Sequence, residues 1–119
     1  MKFTDEVRKQ IKERSKERCE VCGALALHPQ IHHRRPRGMG GSKDPVTGSA
    51  ANGIWIHATC HSKIESQRSW AFDHGYLVRQ SEDPRYIPIK IAGAWYLLDD
   101  QGERKPWQGP VSEPSPTDA

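Results

Sequence analysis

Cys19-x-x-Cys22 and His57-x-x-Cys60 put two short pairs of metal-ligand residue types on either side of a long intervening segment. Three thiolates and one imidazole complete the tetrahedral shell of a structural zinc site. A chain that closes such a shell must bring both pairs together, which ties the end of one helix to the start of another across the strands between them. Three cysteines are an odd number, so disulfide pairing would leave one over; adding His57 resolves the count. A finger built from Cys19, Cys22 and two of His28, His32 and His33 has too short a Cys-to-His interval, the usual one being about 12 residues. It would also leave Cys60 without a role.

Composition makes a metal staple useful. Of 119 residues, 34% are apolar and 28% charged, a thin core for one domain. No apolar run approaches the roughly 20 residues of a membrane span. The opening residues, Met1 to Glu6, contain no apolar stretch like that of a signal peptide. A cytoplasmic location with no membrane partner is therefore expected, and disulfides are disfavoured there. The net charge of +3 allows a nucleic-acid partner without requiring one.

Local patterns order the chain. Thr4 reads as an N-cap with Asp5 and Glu6 in the first turn, opening a charged helix over 5–18 with Val7 and Ile11 as its apolar stripe. Gly23 suits the tight turn of a knuckle. Residues 27–34 read as a short strand, 37–52 as a long glycine-containing loop, and Ile54-Trp55-Ile56 as a second strand. Residues 58–72 read as a helix that Gly75 helps to end, with His61 and Glu65 on one face. Segments 86–91 and 94–98 flank Gly93 as a hairpin, and Pro88 marks its strand as an edge. The organisation expected is one domain over 1–107, with a motif core at 19–72 and an accessory hairpin at about 85–100. A disordered tail over 108–119 follows.

The zinc shell leaves His32, His33 and His61 over. His32 and His33 are adjacent on a strand, so their side chains point to opposite faces and need separate tasks. One could ligate a metal with His61 while the other acts as a base. His28 and His74 have no partners in the pattern and read as surface histidines.

His32-His33-Arg34, Asn52 and Cys60-His61, with Cys19-x-x-Cys22 upstream, resemble the HNH endonuclease motif, and most narrowly the small HNH endonucleases of tailed phages and prophages. The resemblance spans residues 19–65. It implies an α+β fold: a ββα-metal (His-Me finger) core stabilised by a structural zinc, here with a C-terminal β-hairpin. Carried over, the catalytic set is His32, His33, Asn52 and His61. His32 and His61 would hold a catalytic divalent cation (Mg²⁺, Mn²⁺, Ni²⁺ or Zn²⁺), His33 would be the general base, and Asn52 would fix that base across the loop. Glu65, one helical turn beyond His61, is where some family members add a ligand. His57 stands where many relatives carry Cys, and zinc accepts either. The implied activity is hydrolysis of DNA to 5′-phosphate and 3′-hydroxyl ends, in phage genome processing or packaging alongside a terminase.

Arg34, Arg35, Arg37 and Lys43 follow the histidine pair, and Lys63 and Arg68 share the helix of His61; all six are candidate phosphate contacts. Two rival functions remain: a non-catalytic zinc-binding DNA module, which has no need of the histidines, and an HNH toxin or restriction nuclease, for which 119 residues leave little room for a specificity domain.

Overall fold

Thr4 opens the first helix. Its hydroxyl accepts a hydrogen bond from Val7 N–H at 3.2 Å, and α1 runs Asp5–Ser15. The structure, a computed structural model, describes residues 2–36 and 44–109. α1 ends three residues earlier than the charge pattern suggests, because Lys16 and Glu17 turn into the left-handed region at φ 55° and 61°. That turn directs the chain into the Cys19–Cys22 knuckle. Ile11 is fully buried and Val7 half-buried, so the narrow apolar stripe is the face that packs.

β1 (Gln30–His33) and β2 (Gly53–Ile56) form an antiparallel pair in the register Gln30↔Ile56, Ile31↔Trp55, His32↔Ile54 and His33↔Gly53. Paired residues share a face of the sheet. One face presents Gln30, His32, Ile54 and Ile56, and the two isoleucines join the main core with Ile64, Leu77, Ile89 and Leu98. The other face presents Ile31, Trp55, Gly53 and His33 to α1, where Phe3, Ile11 and Ala50 form a smaller cluster. Gly53 matters here: a Cβ would sit 2.8 Å from Phe3 Cζ, so only glycine lets Phe3 and Ile11 approach this face.

The helix expected over 58–72 is two helices, α2 (Ala58–Ser66) and α3 (Arg68–Asp73), because Gln67 leaves helical geometry at φ −124°, ψ 66°. The break turns Ala71 into the core. Gly75 then adopts φ 81°, and a Cβ there would overlap the Pro88 backbone. The C-terminal hairpin is β3 (Ile89–Ile91) with β4 (Ala94–Leu98), and β3 is an edge strand, as Pro88 suggests. A third strand, β5 (Arg104–Pro106), pairs with β4 and went unread because Arg104-Lys105-Pro106 is fully exposed and lacks apolar alternation. The fold is thus α+β, with helices and two antiparallel sheets. Within the segment read as a long loop, 45–52 form two short 3₁₀ turns, while 37–43 and the tail from 110 lie outside the described residues. No helix among the described residues is long and apolar enough to cross a membrane.

Two buried arginines hold these parts together. Arg14 makes a bidentate pair with Glu20, at 2.8 and 2.7 Å, and donates to the carbonyls of Ala50 and Gly53. Glu20 also accepts from Trp55 N–H. This network bolts α1 to the knuckle and to β2, with both charges satisfied by hydrogen bonds. Arg34 is wholly buried and donates to four carbonyls, those of Gly75, Ala51, Pro84 and Ile87, at 2.7–3.0 Å. Burial pushes its pKa down, and Arg14 adds to the effect. Four of its five N–H groups are spent on joining the end of β1 to Ala51, to Gly75 and to the 84–87 segment that leads into the hairpin.

Candidate functional site

The two knuckles meet. Ligand atoms of Cys19, Cys22, His57 and Cys60 all lie within 4.8 Å of one another, and this group could hold a metal such as zinc. His57 Nε2 lies 3.2 Å from Cys22 Sγ and 3.3 Å from Cys60 Sγ. The first knuckle is shaped by its backbone: Gly23 N–H donates to Cys19 O, Cys19 N–H to Ala24 O, and Gly23 takes φ 84°. The second starts α2, with His57 as its N-cap residue. Burial, and then the neighbouring Cys19 thiol, pushes Cys60 up to about 12. Burial would also raise Cys22, but the Ala24 amide and hydrogen bonds to His57, Cys19 and Cys60 outweigh it and hold that thiol at about 7. Three crowded thiols, two of them shifted in opposite directions, are a donor set that a divalent ion relieves, since coordination deprotonates all of them. The chemistry of this set fits zinc.

A second convergence lies in a groove of about 430 Å³ between β1 and α2. There the ligand atoms of His32, His61 and Glu65 also fall within 4.8 Å of one another. Each imidazole is oriented through its other nitrogen. His32 Nε2–H donates to the backbone carbonyl of Tyr76 at 2.9 Å, which leaves Nδ1 as the lone pair. His61 Nδ1 is held by the Gln30 side-chain oxygen, and Nε2 faces Glu65 Oε2 at 3.6 Å. Burial lowers His32 to about 4, so the ring is neutral at ordinary pH, the form a metal ligand requires. Two imidazoles and a carboxylate, graded from the buried His32 to the exposed Glu65, leave the outer side of the group open to the groove.

His33 lines the same groove from the α1 face of β1. Its ring stacks on Phe3 with centroids 4.0 Å apart and planes 18° from parallel. Asn52 is fully buried and clamps the segment after His33. Its Oδ1 accepts from Arg35 N–H at 2.7 Å, and its Nδ2 donates to the carbonyls of Arg35 and Thr47. Its own carbonyl accepts from Arg34 N–H.

The expected phosphate contacts need correction. Arg34 cannot reach a phosphate, because it is buried and its donors are taken. Arg35 is 7% exposed, and its guanidinium is committed to Glu82 O, Thr47 Oγ1 and the Asp44 carboxylate. The hydrogen bond from Arg35 holds Asp44 below the usual carboxylate range. Arg37 and Lys43 lie outside the described residues. Lys63 stands over the Trp70 ring at 4.2 Å and does not line the groove, whereas Arg68 does. His74 is not a plain surface residue: it is half-buried, donates from Nδ1 to Trp70 O, and stacks against Tyr76 and Trp95. His28 is exposed.

Three site residues escaped the sequence reading. Gln30 was legible in principle, being two residues before His32 and so on the same face of the strand. Phe3 and the carbonyl of Tyr76 carried no local signal, since only the fold brings them to the histidines. No family model, no curated protein and no solved structure matches this chain.

Proposed function

We propose that this chain is a metal-dependent endonuclease of the HNH type that hydrolyses DNA. The observation that carries the reading is the meeting of His32, His61 and Glu65 in an open groove whose rim also bears His33. His32, His61 and Glu65 would hold the catalytic cation. A divalent ion bound there would supply charge neutralisation at the scissile phosphate and the departing 3′ oxygen.

The chain's own residues do the rest. His33 accepts the proton of the attacking water; an imidazole with a reference pKa near 6.5 suits that task. Phe3 stacked on its ring restricts the ring plane, so the acceptor nitrogen is held in place. Asn52 acts one step back: by gripping Arg35 at both backbone groups it fixes the end of β1 from which His33 projects. Arg68, exposed on the groove wall and 3.8 Å from Glu65, is placed to meet a phosphate.

The test is supercoiled plasmid incubated with Mg²⁺, Mn²⁺ or Ni²⁺, and with no added metal, using the intact protein and the variants His32→Ala, His33→Ala and His61→Ala. Cleavage should require added metal. High metal concentration should partly restore His32→Ala and His61→Ala but not His33→Ala, because metal cannot replace the proton acceptor. Normal cutting by all three variants would remove the nuclease reading and leave a zinc-binding DNA module as the better account.

A further inference from the structure

Arg34 and Arg35 are spent inside the fold, and among the described residues Arg68 is the cation that lines the histidine groove, so a polyanion running beyond that groove must meet further cations elsewhere. α1 supplies them. Arg8, Lys9 and Lys12 line a second groove of about 370 Å³, with Pro29, Ile31 and Trp55 as its apolar floor. All three cations are exposed, and none forms an ion pair among the described residues. By the 100° step of an α-helix, Asp5 lies within this flank, and Glu6 and Glu13 stand one turn from Lys9 at its edge.

This groove continues the first one. Ile31 lines both. Ile31 and His33 are two residues apart on one face of β1, about 7 Å along the strand, and Trp55 pairs with Ile31 on that face. The helix bearing the cations is rigidly seated, with Ile11 in the smaller core and Arg14 locked to Glu20. The backbone positions from which they project are therefore set before any ligand arrives.

We infer that the Arg8–Lys9–Lys12 flank of α1, with Trp55 beneath it, is a binding track for a nucleic-acid backbone that leads to His33. This rests on the nuclease reading and adds the surface that would hold the strand beside the cut. Cations along an apolar aromatic floor match the chemistry of a phosphate chain with flat bases. An acidic protein could pair with the same charges, but continuity with the histidine groove favours nucleic acid.

The experiment is fluorescence anisotropy of a labelled duplex across a salt series, without added divalent metal. It compares the intact protein, the triple variant Arg8→Gln/Lys9→Gln/Lys12→Gln and the control Arg104→Gln/Lys105→Gln on the three-stranded sheet. Gln keeps helix propensity, and thermal melting should show both variants folded. The triple variant should flatten the slope of log K against log salt by roughly 2–3 and weaken binding on the order of 10-fold at ~0.1 M salt. The control should leave the slope unchanged. If the intact protein binds no DNA at any salt, the nuclease reading and this track fall together. If it binds and the triple variant keeps the intact slope, the track alone is wrong. If the triple substitution abolishes capture on poly-glutamate while the DNA slope is intact, the flank serves an acidic protein and the inference is overturned.

Discussion

The two metal-ligand groups use the same helix in opposite ways. The Cys19–Cys22–His57–Cys60 group has four donors from two knuckles, and all four converge where one ion could sit. The His32–His61–Glu65 group has three donors, with a groove where further ligands would sit. α2 contributes Cys60 to the first and His61 to the second, adjacent residues that turn about 100° apart around the helix axis. A complete shell has no place for a substrate, so what it offers is folding energy. An incomplete shell offers little to the fold, so its side chains must be oriented by other groups: Tyr76 O for His32 and Gln30 for His61.

The largest effect should come from opening the closed group. Cys60→Ser should lose the bound zinc and with it most of the folded state, since apparent zinc-binding energies in small metal-folded units are about 10–16 kcal/mol. Metal analysis with circular dichroism checks this, and a folded, active, zinc-free variant would erase the distinction between the two groups. The open group should behave in the reverse manner. His33→Ala should keep the fold, the zinc and DNA affinity while cleavage falls by roughly 10²–10⁴, or about 3–5 kcal/mol of barrier.

Arg34 and Arg68 sharpen the contrast at the level of charge. Arg34→Met should destabilise the protein by about 3 kcal/mol or more, because four carbonyls, three of them in buried hydrogen bonds, lose their donors. Denaturant melts would read this, and a loss of less than ~1 kcal/mol would contradict the pinning role. Arg68→Gln should change stability by less than ~0.5 kcal/mol, its side chain being half exposed, and should weaken DNA binding instead. The smallest effect should be Glu65→Gln, raising the metal concentration needed for half-maximal cleavage on the order of 10-fold, as loss of one contributor to a metal site does. An unchanged metal titration would make Glu65 an ordinary solvated helix residue.

Much of this arrangement was legible before the fold. Ligand type and spacing brought out the Cys19–Cys22–His57–Cys60 group, because coordination chemistry accepts few residue types, whereas pairing His32 with His61 came from the resemblance to the HNH motif. Strand alternation separated His32 from His33. The basic residues were misread for an equally physical reason. Arg34 and Arg35 look like solvent-facing cations in sequence, and nothing local says that a guanidinium will find four converging carbonyls. The charged α1 was read for its Val7–Ile11 stripe alone, although its cations gather on one flank beside Trp55.

The sequence by itself determined the four-residue Cys/His set, the knuckle turns and the alternation of the histidines, since these depend on residue chemistry and on the local periods of strand and helix. Only the tertiary structure decided which cations are free and which are consumed, which carbonyl orients His32, and that Phe3 covers His33. Those outcomes depend on groups brought together from distant parts of the chain, and burial decides them: a charge or ring nitrogen removed from water must take whatever partner the packed backbone offers.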